Sequence, residues 1–243
     1  MKDSTRQRKV AQEGMITPYP LNTIYFYLTG DCNLACRHCW IAPTFQKKAV
    51  SQSALDFHLF CSIIDQAKPL GLNSVKLTGG EPLIHPRIKE IFKYIRQEKL
   101  RLILESNGIA MKADIAALIA DSKNPFVSIS LDGVDAFTHE QLRGVPGCFD
   151  KAVLGVRTIV DGGVKPQIIM TLTQNNVHQI EPMIELAERE EAESVKFNIL
   201  VRIARGKTLY EQGEGLTVSE LIRIGSWIEK DIAPNSSIPV IFS

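Results

Sequence analysis

The stretch IYFYLTGDCNLACRHCW, residues 24–40, joins a strand-like run to a polar segment that holds three of the five cysteines. Its first part, Ile24–Thr29, is rich in the aromatic and β-branched residues that favour strands. Similar runs follow along the chain, and segments with helical periodicity separate them. The predicted strands are Ile24–Thr29, Val75–Thr78, Leu102–Glu105, Val127–Leu131, Ile168–Leu172 and Val195–Val201. The predicted helices are Ser51–Lys68, Ile88–Gln97, Ala113–Ala120, Lys151–Val160, Val177–Glu190 and Val218–Lys230.

Six βα units in series predict an α/β fold in which helices cover a parallel sheet. The order of the units leaves two arrangements open, an incomplete barrel and a doubly wound sheet, since a full barrel needs about eight units. In both arrangements, ligands bind beyond the carboxyl ends of the strands. Polar segments of this chain follow strands in this way: DCNLACRHC at 31–39, GGEP at 79–82, SNG at 106–108, LDG at 131–133 and ARG at 204–206. The sequence therefore predicts a functional site at this end of the sheet.

The composition excludes several classes of protein. The chain has 243 residues, of which 44% are hydrophobic and 23% are charged, as in ordinary globular domains. Its net charge of +1 gives no reason to expect a nucleic-acid or membrane partner. No run approaches the ~18 apolar residues of a membrane span, and the N-terminus lacks the apolar core of a secretory signal. An odd number of cysteines, crowded in one place, argues against disulfides and for metal chemistry in a reducing, cytoplasmic compartment.

The spacing Cys32-x3-Cys36-x2-Cys39 indicates a metal site on one short loop. The three thiolates would bind three irons of a [4Fe–4S] cluster, which normally takes four cysteine ligands. The fourth iron would then be open to another ligand, as is typical of a reactive site. Zinc is the alternative, but structural zinc sites usually have four ligands. The remaining local donor, His38, lies between two of the cysteines and reaches the same ion poorly, so the spacing favours the cluster.

Three other segments carry residues suited to a charged ligand. Gly79 and Gly80 would let the backbone approach a ligand closely and leave carbonyls free for an ammonium group, although a Gly-Gly pair is also typical of a simple turn. Asn107, in Ser-Asn-Gly, is either a polar ligand contact or part of a turn. Arg143 would bind a carboxylate through two guanidinium nitrogens, and a solvated surface residue is the alternative.

The ends of the fourth and sixth strands add further polar candidates. Alternation along the fourth strand places Ser128, Ser130 and Asp132 on one face, where hydroxyl groups suit a ligand better than a dry core. After the sixth strand, a small basic cluster of Arg202, Arg205 and Lys207 either meets carboxylates of a ligand or lies in a solvated loop.

These motifs, in this order, resemble those of radical S-adenosylmethionine (SAM) enzymes over about residues 22–210. The signature is the three-cysteine loop with His38 before its last cysteine, GGEP about 40 residues later, and SLDG at 130–133. The resemblance implies a partial (β/α)6 barrel with parallel strands. It also implies that Cys32, Cys36 and Cys39 bind three irons of a [4Fe–4S] cluster, while the amino and carboxylate groups of SAM chelate the fourth. The reduced cluster would cleave SAM to methionine and a 5′-deoxyadenosyl radical, which abstracts a hydrogen atom from the substrate.

The resemblance further implies which residues contact SAM. The implied contacts are Gly79, Gly80 and Glu81 for the amino group, Ser130 and Arg143 for the carboxylate, and Asn107 and Leu200 elsewhere on the molecule. Asp132 is a further candidate for the carboxylate. For Leu200, which would pack on the adenine, a place in the core of the barrel is the alternative.

Within this family, SLDG followed by Arg143-Gly144 and then by GCFD at 147–150 resembles the branch that matures ribosomal peptides and proteins. That resemblance implies a peptide substrate and a reducing partner such as flavodoxin or ferredoxin. An enzyme of small-molecule cofactor biosynthesis is the alternative, because the chemistry up to the radical would be the same. A non-catalytic metal-binding module is the third reading of the same motifs.

The peptide-maturing branch usually carries a C-terminal SPASM or twitch extension with further cysteines for auxiliary clusters. This sequence has no cysteine after Cys148, and its last residues, 234–243, resemble the start of a new strand. We therefore expect an N-terminal extension at 1–20, the barrel at 21–233, and the start of a truncated or missing C-terminal extension at 234–243. One cluster is expected in this chain, without an auxiliary one.

Overall fold

The computed structural model describes residues 20–47, 51 and 53–243, so the extension expected at 1–20 lies almost wholly outside the described residues. In chain order the strands are β1 (Thr23–Tyr27), β2 (Asp31–Cys32), β3 (Thr44–Phe45), β4 (Ser74–Thr78), β5 (Arg101–Ser106), β6 (Lys123–Ser130), β7 (Gln167–Leu172), β8 (Ser194–Ile199) and β9 (Val240–Phe242). Among the described residues, seven strands form one sheet in the order β1-β4-β5-β6-β7-β8-β9. Every neighbouring pair in it is parallel. The sheet is open between β1 and β9 in this part of the chain, and the predicted α/β partial barrel is confirmed.

The strands are connected by helices that cover one face of the sheet. They are α1 (Phe57–Ala67), α2 (Ile88–Gln97), α3 (Ala113–Ala120), α4 (Ala136–Arg143), α5 (Cys148–Asp161), α6 (Ile180–Arg189), α7 (Arg205–Glu211) and α8 (Val218–Trp227). In the part of the chain that the structure describes, no helix combines the length and apolar character needed to cross a membrane.

Three helices differ from the prediction. The first was expected from Ser51, but it begins at Phe57 because the Asp56 carboxylate caps it, accepting a hydrogen bond from Leu59 N at 2.9 Å. Helices α4 and α7 were not predicted, and they have only 8 and 7 residues. Both are also mostly polar, unlike α3, which has 8 residues but is apolar and was predicted, so too few apolar positions repeat within them to indicate a helix.

The hydrophobic core lies between the sheet and the helices. Alternate residues of the strands, such as Leu77, Leu104 and Phe197, point toward the helices and are completely buried. Their neighbours in the chain, such as Thr78 and Asn198, face the opposite, concave side and are only half-buried. This alternation leaves the concave side polar, which suits a ligand site rather than a second core.

The last strand joins the same sheet as the others. The prediction assigned residues 234–243 to a separate extension, whereas β9 pairs in parallel with β8 through Val195 and Val240, and through Phe197 and Phe242. Phe242 packs on α8 so closely that a Cβ added to Gly225 would lie 2.8 Å from its ring. The chain is therefore continuous with the sheet beyond residue 233, and its division into domains stays a prediction.

Helix α5 fixes the turn that follows β5. Gly108 in that turn has a positive φ of 77°, which glycine adopts without strain. The helix contributes Gly155, where an added Cβ would lie 2.2 Å from the Gly108 carbonyl oxygen. The absence of a side chain at Gly155 thus lets the helix backbone rest directly on the turn that carries Asn107.

We expect Gly155→Ala to lower the free energy of unfolding by about 1–3 kcal/mol, because the added methyl group has no room. The same change at an open helical position would stabilise by up to about 1 kcal/mol. Urea unfolding followed by circular dichroism measures the difference. Leu154→Ala, at a neighbouring side chain that is 61% exposed, is the control and should change stability by only about 0.5 kcal/mol. A Gly155→Ala protein as stable as wild type would contradict this packing.

Candidate functional site

A cavity of about 440 Å³ opens at the carboxyl ends of the strands. It is lined by ten of the predicted site residues, namely Cys32, Cys36, Cys39, Gly79, Gly80, Glu81, Asn107, Ser130, Arg143 and Leu200. The other polar candidates, Ser128, Asp132, Arg202, Arg205 and Lys207, do not line it. The ten lining residues come from β2 and the loop that follows it, from the ends of β4, β5, β6 and β8, and from the end of α4. The structure therefore brings these ten residues together, while the role of each residue stays a prediction.

The three cysteines lie on one loop, residues 31–45, which we call the cysteine loop. Its two ends form the strand pair β2–β3, in which Cys32 is opposite Phe45. Gln46 N also donates a hydrogen bond to Cys32 O at 2.8 Å. Between the second and third cysteines, Cys39 N donates to Cys36 O at 3.4 Å and closes a turn. The loop is thus closed at its base and holds its three sulfurs on a short, bonded segment.

The two glycines of GGEP approach the cysteine loop more closely than any side chain would permit. A Cβ added to Gly80 would lie 1.8 Å from Asp31 O, and Gly79 has a positive φ of 124°. Glu81 N donates to Asp31 O at 2.9 Å, and Gly80 N donates to Thr29 O at 2.9 Å. The glycines were expected to bring the backbone near a ligand; they also bring it onto the cysteine loop.

The Glu81 carboxylate is a buried connector: it joins its own turn to the end of β5 through hydrogen bonds. It is 1% exposed and accepts hydrogen bonds from Leu83 N at 3.0 Å, Ser106 Oγ at 2.8 Å and Asn107 N at 2.8 Å. Burial raises the pKa of Glu81, although these three hydrogen bonds favour the charged form. Because its side-chain oxygens are engaged within the protein, the backbone carbonyls of GGEP are the groups available for an ammonium ligand.

Asn107 supports the cysteine loop from the neighbouring strand end. Its Nδ2 donates to Asn33 Oδ1 at 2.7 Å and lies 3.8 Å from Cys32 Sγ. Its Oδ1 accepts a hydrogen bond from Ile109 N at 3.0 Å, which fixes the orientation of the amide. The side chain therefore contacts the first cysteine as well as lining the cavity.

Arg143 is a buried cation, so the alternative of a solvated surface residue is wrong. It is 7% exposed, and its Nε lies 2.5 Å from Oδ2 of the fully buried Asp132 as an ion pair, without the alignment of a hydrogen bond. Its Nη1 lies 3.8 Å from Cys36 Sγ. Asp132 Oδ1 accepts from Thr171 N at 2.9 Å, and His38 Nε2 lies 3.6 Å from Oδ2. Asp132 is therefore the counter-ion of Arg143.

Burial and charge act in opposite directions on this pair. Burial is the largest single influence and would raise the pKa of Asp132, but the guanidinium of Arg143, the nearby histidines and the hydrogen bond from Thr171 N together outweigh it, so that the pKa lies below its ordinary value. Burial lowers the pKa of His38 to about 4, so the imidazole is neutral at pH 7. One positive charge therefore stands beside Cys36, held by a carboxylate behind it.

The donor set fits an iron–sulfur cluster. Burial raises the pKa of the Cys32 thiol to about 12 and also raises that of Cys36. Bound iron would supply the positive charge that such buried thiolates need, and thiolate is the usual ligand of these clusters. In the described ranges, no three His, Cys, Asp or Glu side chains converge on a single metal ion. A cubane cluster does not require this, because each cysteine binds a different iron.

Sequence reasoning missed several residues of the cavity wall. Ile169 and Thr171 line it from alternate positions of β7, a pattern of period two that would have indicated them. Trp40 and Ser243 also line it, and no local pattern marks them. Cys148 is distant in sequence, yet it is 1% exposed and packs in one apolar cluster with the first two cysteines of the loop.

The chain belongs to the radical SAM superfamily, whose family model matches residues 26–187. An AdoMet-dependent heme synthase of Methanosarcina barkeri is 30% identical over 204 residues, which cover 84% of this chain and 56% of that protein. The subtilosin biosynthesis protein AlbA of Bacillus subtilis is 26% identical over 193 residues, covering 79% of this chain and 42% of AlbA. The chain thus spans about half the length of the curated relatives it matches.

A solved structure shares the fold. Streptococcus suis SuiB bound to its precursor peptide SuiA matches with a TM-score of 0.77 at 19% identity, over 93% of this chain and 49% of SuiB. This likeness concerns the partial barrel. The cofactors of the superfamily are a [4Fe–4S] cluster and SAM, and the cavity carries residues suited to both.

We expect Glu81→Gln to lower the free energy of unfolding by about 1–3 kcal/mol, because the new amide NH2 would face an N–H donor and leave it unpaired. Chemical denaturation of the protein without iron measures this loss. Glu98→Gln is the control, since Glu98 forms a surface ion pair with Lys68 and its loss should cost about 1 kcal/mol or less. Equal losses in the two variants would show that Glu81 is not the connector described here.

Proposed function

We propose that this chain holds a [4Fe–4S] cluster on Cys32, Cys36 and Cys39 and SAM in the adjoining cavity, and that it abstracts a hydrogen atom from a substrate. The observation that supports this most strongly is the convergence of ten predicted site residues on one cavity of about 440 Å³ beside the cysteine loop. When bound and reduced, the two cofactors supply the radical chemistry. The whole reaction is a proposal, because the chain spans only about half the length of these relatives.

The residues of the cavity divide the binding of SAM among them. The carbonyls after β4 accept hydrogen bonds from the amino group, since the Glu81 side chain is occupied. Arg143 supplies the positive charge for the carboxylate, and Ser130 adds a hydroxyl group on the same wall. Leu200 is 3% exposed and offers an apolar surface for the adenine. Fixed polar groups in a partly dry cavity orient the sulfonium toward the cluster without reorganising.

A non-catalytic metal module fits this site less well. Structural metal sites are closed by protein ligands, whereas these cysteines line an open cavity with both polar and apolar walls. The described cysteines are free thiols, in keeping with a reducing compartment.

A small electron carrier such as flavodoxin or ferredoxin would supply the electron that the reaction consumes.

For the substrate we propose a peptide, as in the maturation of ribosomal peptides or proteins. Two relatives support this class by name: AlbA and the mycofactocin maturase MftC of Mycobacterium ulcerans, which is 28% identical. The rim of the cavity carries the exposed apolar side chains of Trp40, Val201 and Ile203. The rings of Tyr27 and Trp40 pack edge to face, with their centroids 6.1 Å apart. Such a rim would hold the apolar side chains of a peptide beside the reacting centre.

A small molecule of cofactor biosynthesis is the second candidate. Its support is the AdoMet-dependent heme synthases of Nitratidesulfovibrio vulgaris and Methanosarcina barkeri, at 28% and 30% identity. An apolar, partly aromatic rim would also contact a flat macrocycle. The two substrate classes share the cluster and SAM site and differ only in what the rim receives.

Anaerobically reconstituted protein should contain about four irons and release 5′-deoxyadenosine from SAM when reduced. We expect Cys32→Ala, Cys36→Ala or Cys39→Ala to abolish this release, because each removes the ligand of one iron. Cys61→Ala, on α1, and Cys148→Ala, beside the loop but not on it, should retain it. Liquid chromatography with mass spectrometry measures the product. Full activity in the three loop variants, or its loss in the two controls, would overturn the cluster assignment.

Isotope transfer distinguishes the two substrate classes. The longest native form of the protein is incubated with SAM and reductant, first with a deuterated peptide encoded beside its gene, and then with Fe-coproporphyrin III, a tetrapyrrole that one relative is named for. A peptide substrate should yield singly deuterated 5′-deoxyadenosine and a peptide of altered mass. If only the porphyrin is changed, the peptide proposal is wrong and the second candidate replaces it.

A further inference from the structure

The three basic residues that follow β8, Arg202, Arg205 and Lys207, have different partners. Arg202 lies over the ring of Tyr210 with its guanidinium carbon 4.1 Å from the ring centroid. Lys207 Nζ lies 3.7 Å from Glu211 Oε1 on the surface of α7. Arg205 alone of the three is turned toward the cysteine loop, where it bonds the protein backbone. The sequence left open whether these cations meet carboxylates or solvent, and Arg205 does neither.

Arg205 bonds two carbonyls that flank the last cysteine. Its Nη1 donates to Cys36 O at 3.3 Å, and its Nη2 donates to Pro43 O at 3.0 Å. Cys36 O also receives the hydrogen bond from Cys39 N that closes the turn between these cysteines. One planar guanidinium therefore spans residues 36–43, and Cys39 lies within that span. A fork of this kind fixes both distance and direction, which a single ammonium cannot do.

Helix α7 is seated so that Arg205 has little freedom. A Cβ added to Gly206 would lie 2.3 Å from Val201 O and 3.3 Å from His38 O, so the helix start touches the cysteine loop directly. Leu209 is 1% exposed and packs with Leu200 and Leu142 in a small apolar cluster. The helix thus carries Arg205 on a rigid support rather than on a flexible loop.

A second arginine, Arg37, connects the same two segments, but it lies in the cysteine loop and bonds residues that follow α7. Arg37, within the cysteine loop, donates through Nη1 to Glu214 Oε2 at 3.1 Å and through Nη2 to Gln212 Oε1 at 3.3 Å. The loop therefore reaches toward the end of α7 while Arg205 reaches from its start into the loop. Between them, the two arginines join the cysteine loop to the segment that carries Leu200, a wall of the cavity.

We infer that Arg205 is a positioning residue for the cluster, because it holds Cys39 in place relative to Cys36. Cys32 lies in the strand pair β2–β3, and Cys36 is contacted at its sulfur by Arg143. The position of Cys39 depends on the turn that Arg205 spans. Loss of the fork should therefore loosen one cluster ligand and raise the rate at which iron leaves. The inference rests on the cluster of the proposed function, but not on the choice of substrate.

The test compares iron release from Arg205→Met, Arg205→Lys and wild type after anaerobic reconstitution of the full chain. A chelator, bathophenanthroline disulfonate, reports release by absorbance, without SAM or substrate. We expect about tenfold faster release from Arg205→Met, because two hydrogen bonds from a charged donor are lost. Arg205→Lys, which can reach one carbonyl at a time, should lie between the two. Electron paramagnetic resonance of the reduced cluster should show an altered signal in Arg205→Met.

Arg202→Met is the matched control, since it removes the same charge from the same segment without touching the cysteine loop. Its iron release should equal that of wild type. Thermal melting of each protein before reconstitution separates misfolding from a weakened cluster, and Arg205→Lys carries the test if Arg205→Met does not fold. Wild-type release and an unchanged spectrum in the Arg205 variants would overturn the inference alone. A wild-type protein that binds no iron would overturn the proposed function as well.

Discussion

The hydrogen bonds of the buried residue Glu81 are the interactions on which the site depends most. Its oxygens accept hydrogen bonds from the turn after β5 and from its own turn, while its backbone N–H donates to Asp31 of the cysteine loop. The ends of β1, β4 and β5 are thereby fixed to one another by a single residue. In a low-dielectric setting such a satisfied network is rigid, because leaving any member unpaired is costly.

On the other side of the cavity, an ion pair and hydrogen bonds to charged side chains hold the segments together. Asp132 at the end of β6 pairs with Arg143 at the end of α4 and accepts a hydrogen bond from β7. Arg205, after β8, bonds the cysteine loop itself. Several of the strand ends that border the cavity are thus tied to a neighbouring segment by a polar contact. The residues predicted to bind a cluster and SAM are held in place by the protein itself, which is what electrostatic preorganisation requires.

The same architecture leaves the substrate side open. The concave face of the sheet is polar and half-buried, and the cavity rim exposes Trp40, Val201 and Ile203. The predicted cofactor contacts lie on the cysteine loop, at strand ends and on α4 and are mostly buried, whereas the rim residues are exposed. This division explains why one barrel can serve relatives with names as different as heme synthase and AlbA: the rim can vary without disturbing the ligand network.

The sequence by itself determined the chain order of the strands and longer helices, the parallel sheet, and ten residues of the cavity wall between Cys32 and Leu200. The sheet, the cysteine site and its place at the strand ends follow from local rules: alternation, cysteine spacing, and the placement of ligand sites at strand ends. The individual SAM contacts, such as Leu200, came from the resemblance to the radical SAM family. Helices α4 and α7 are short and mostly polar, so periodicity did not indicate them, and the pairing of β9 with β8 was not specified by the sequence. Only the tertiary structure decided the partners of Glu81, Arg143 and Arg205. Arg205 and Cys36 are 169 residues apart, and no local pattern specifies which distant carbonyl a guanidinium meets.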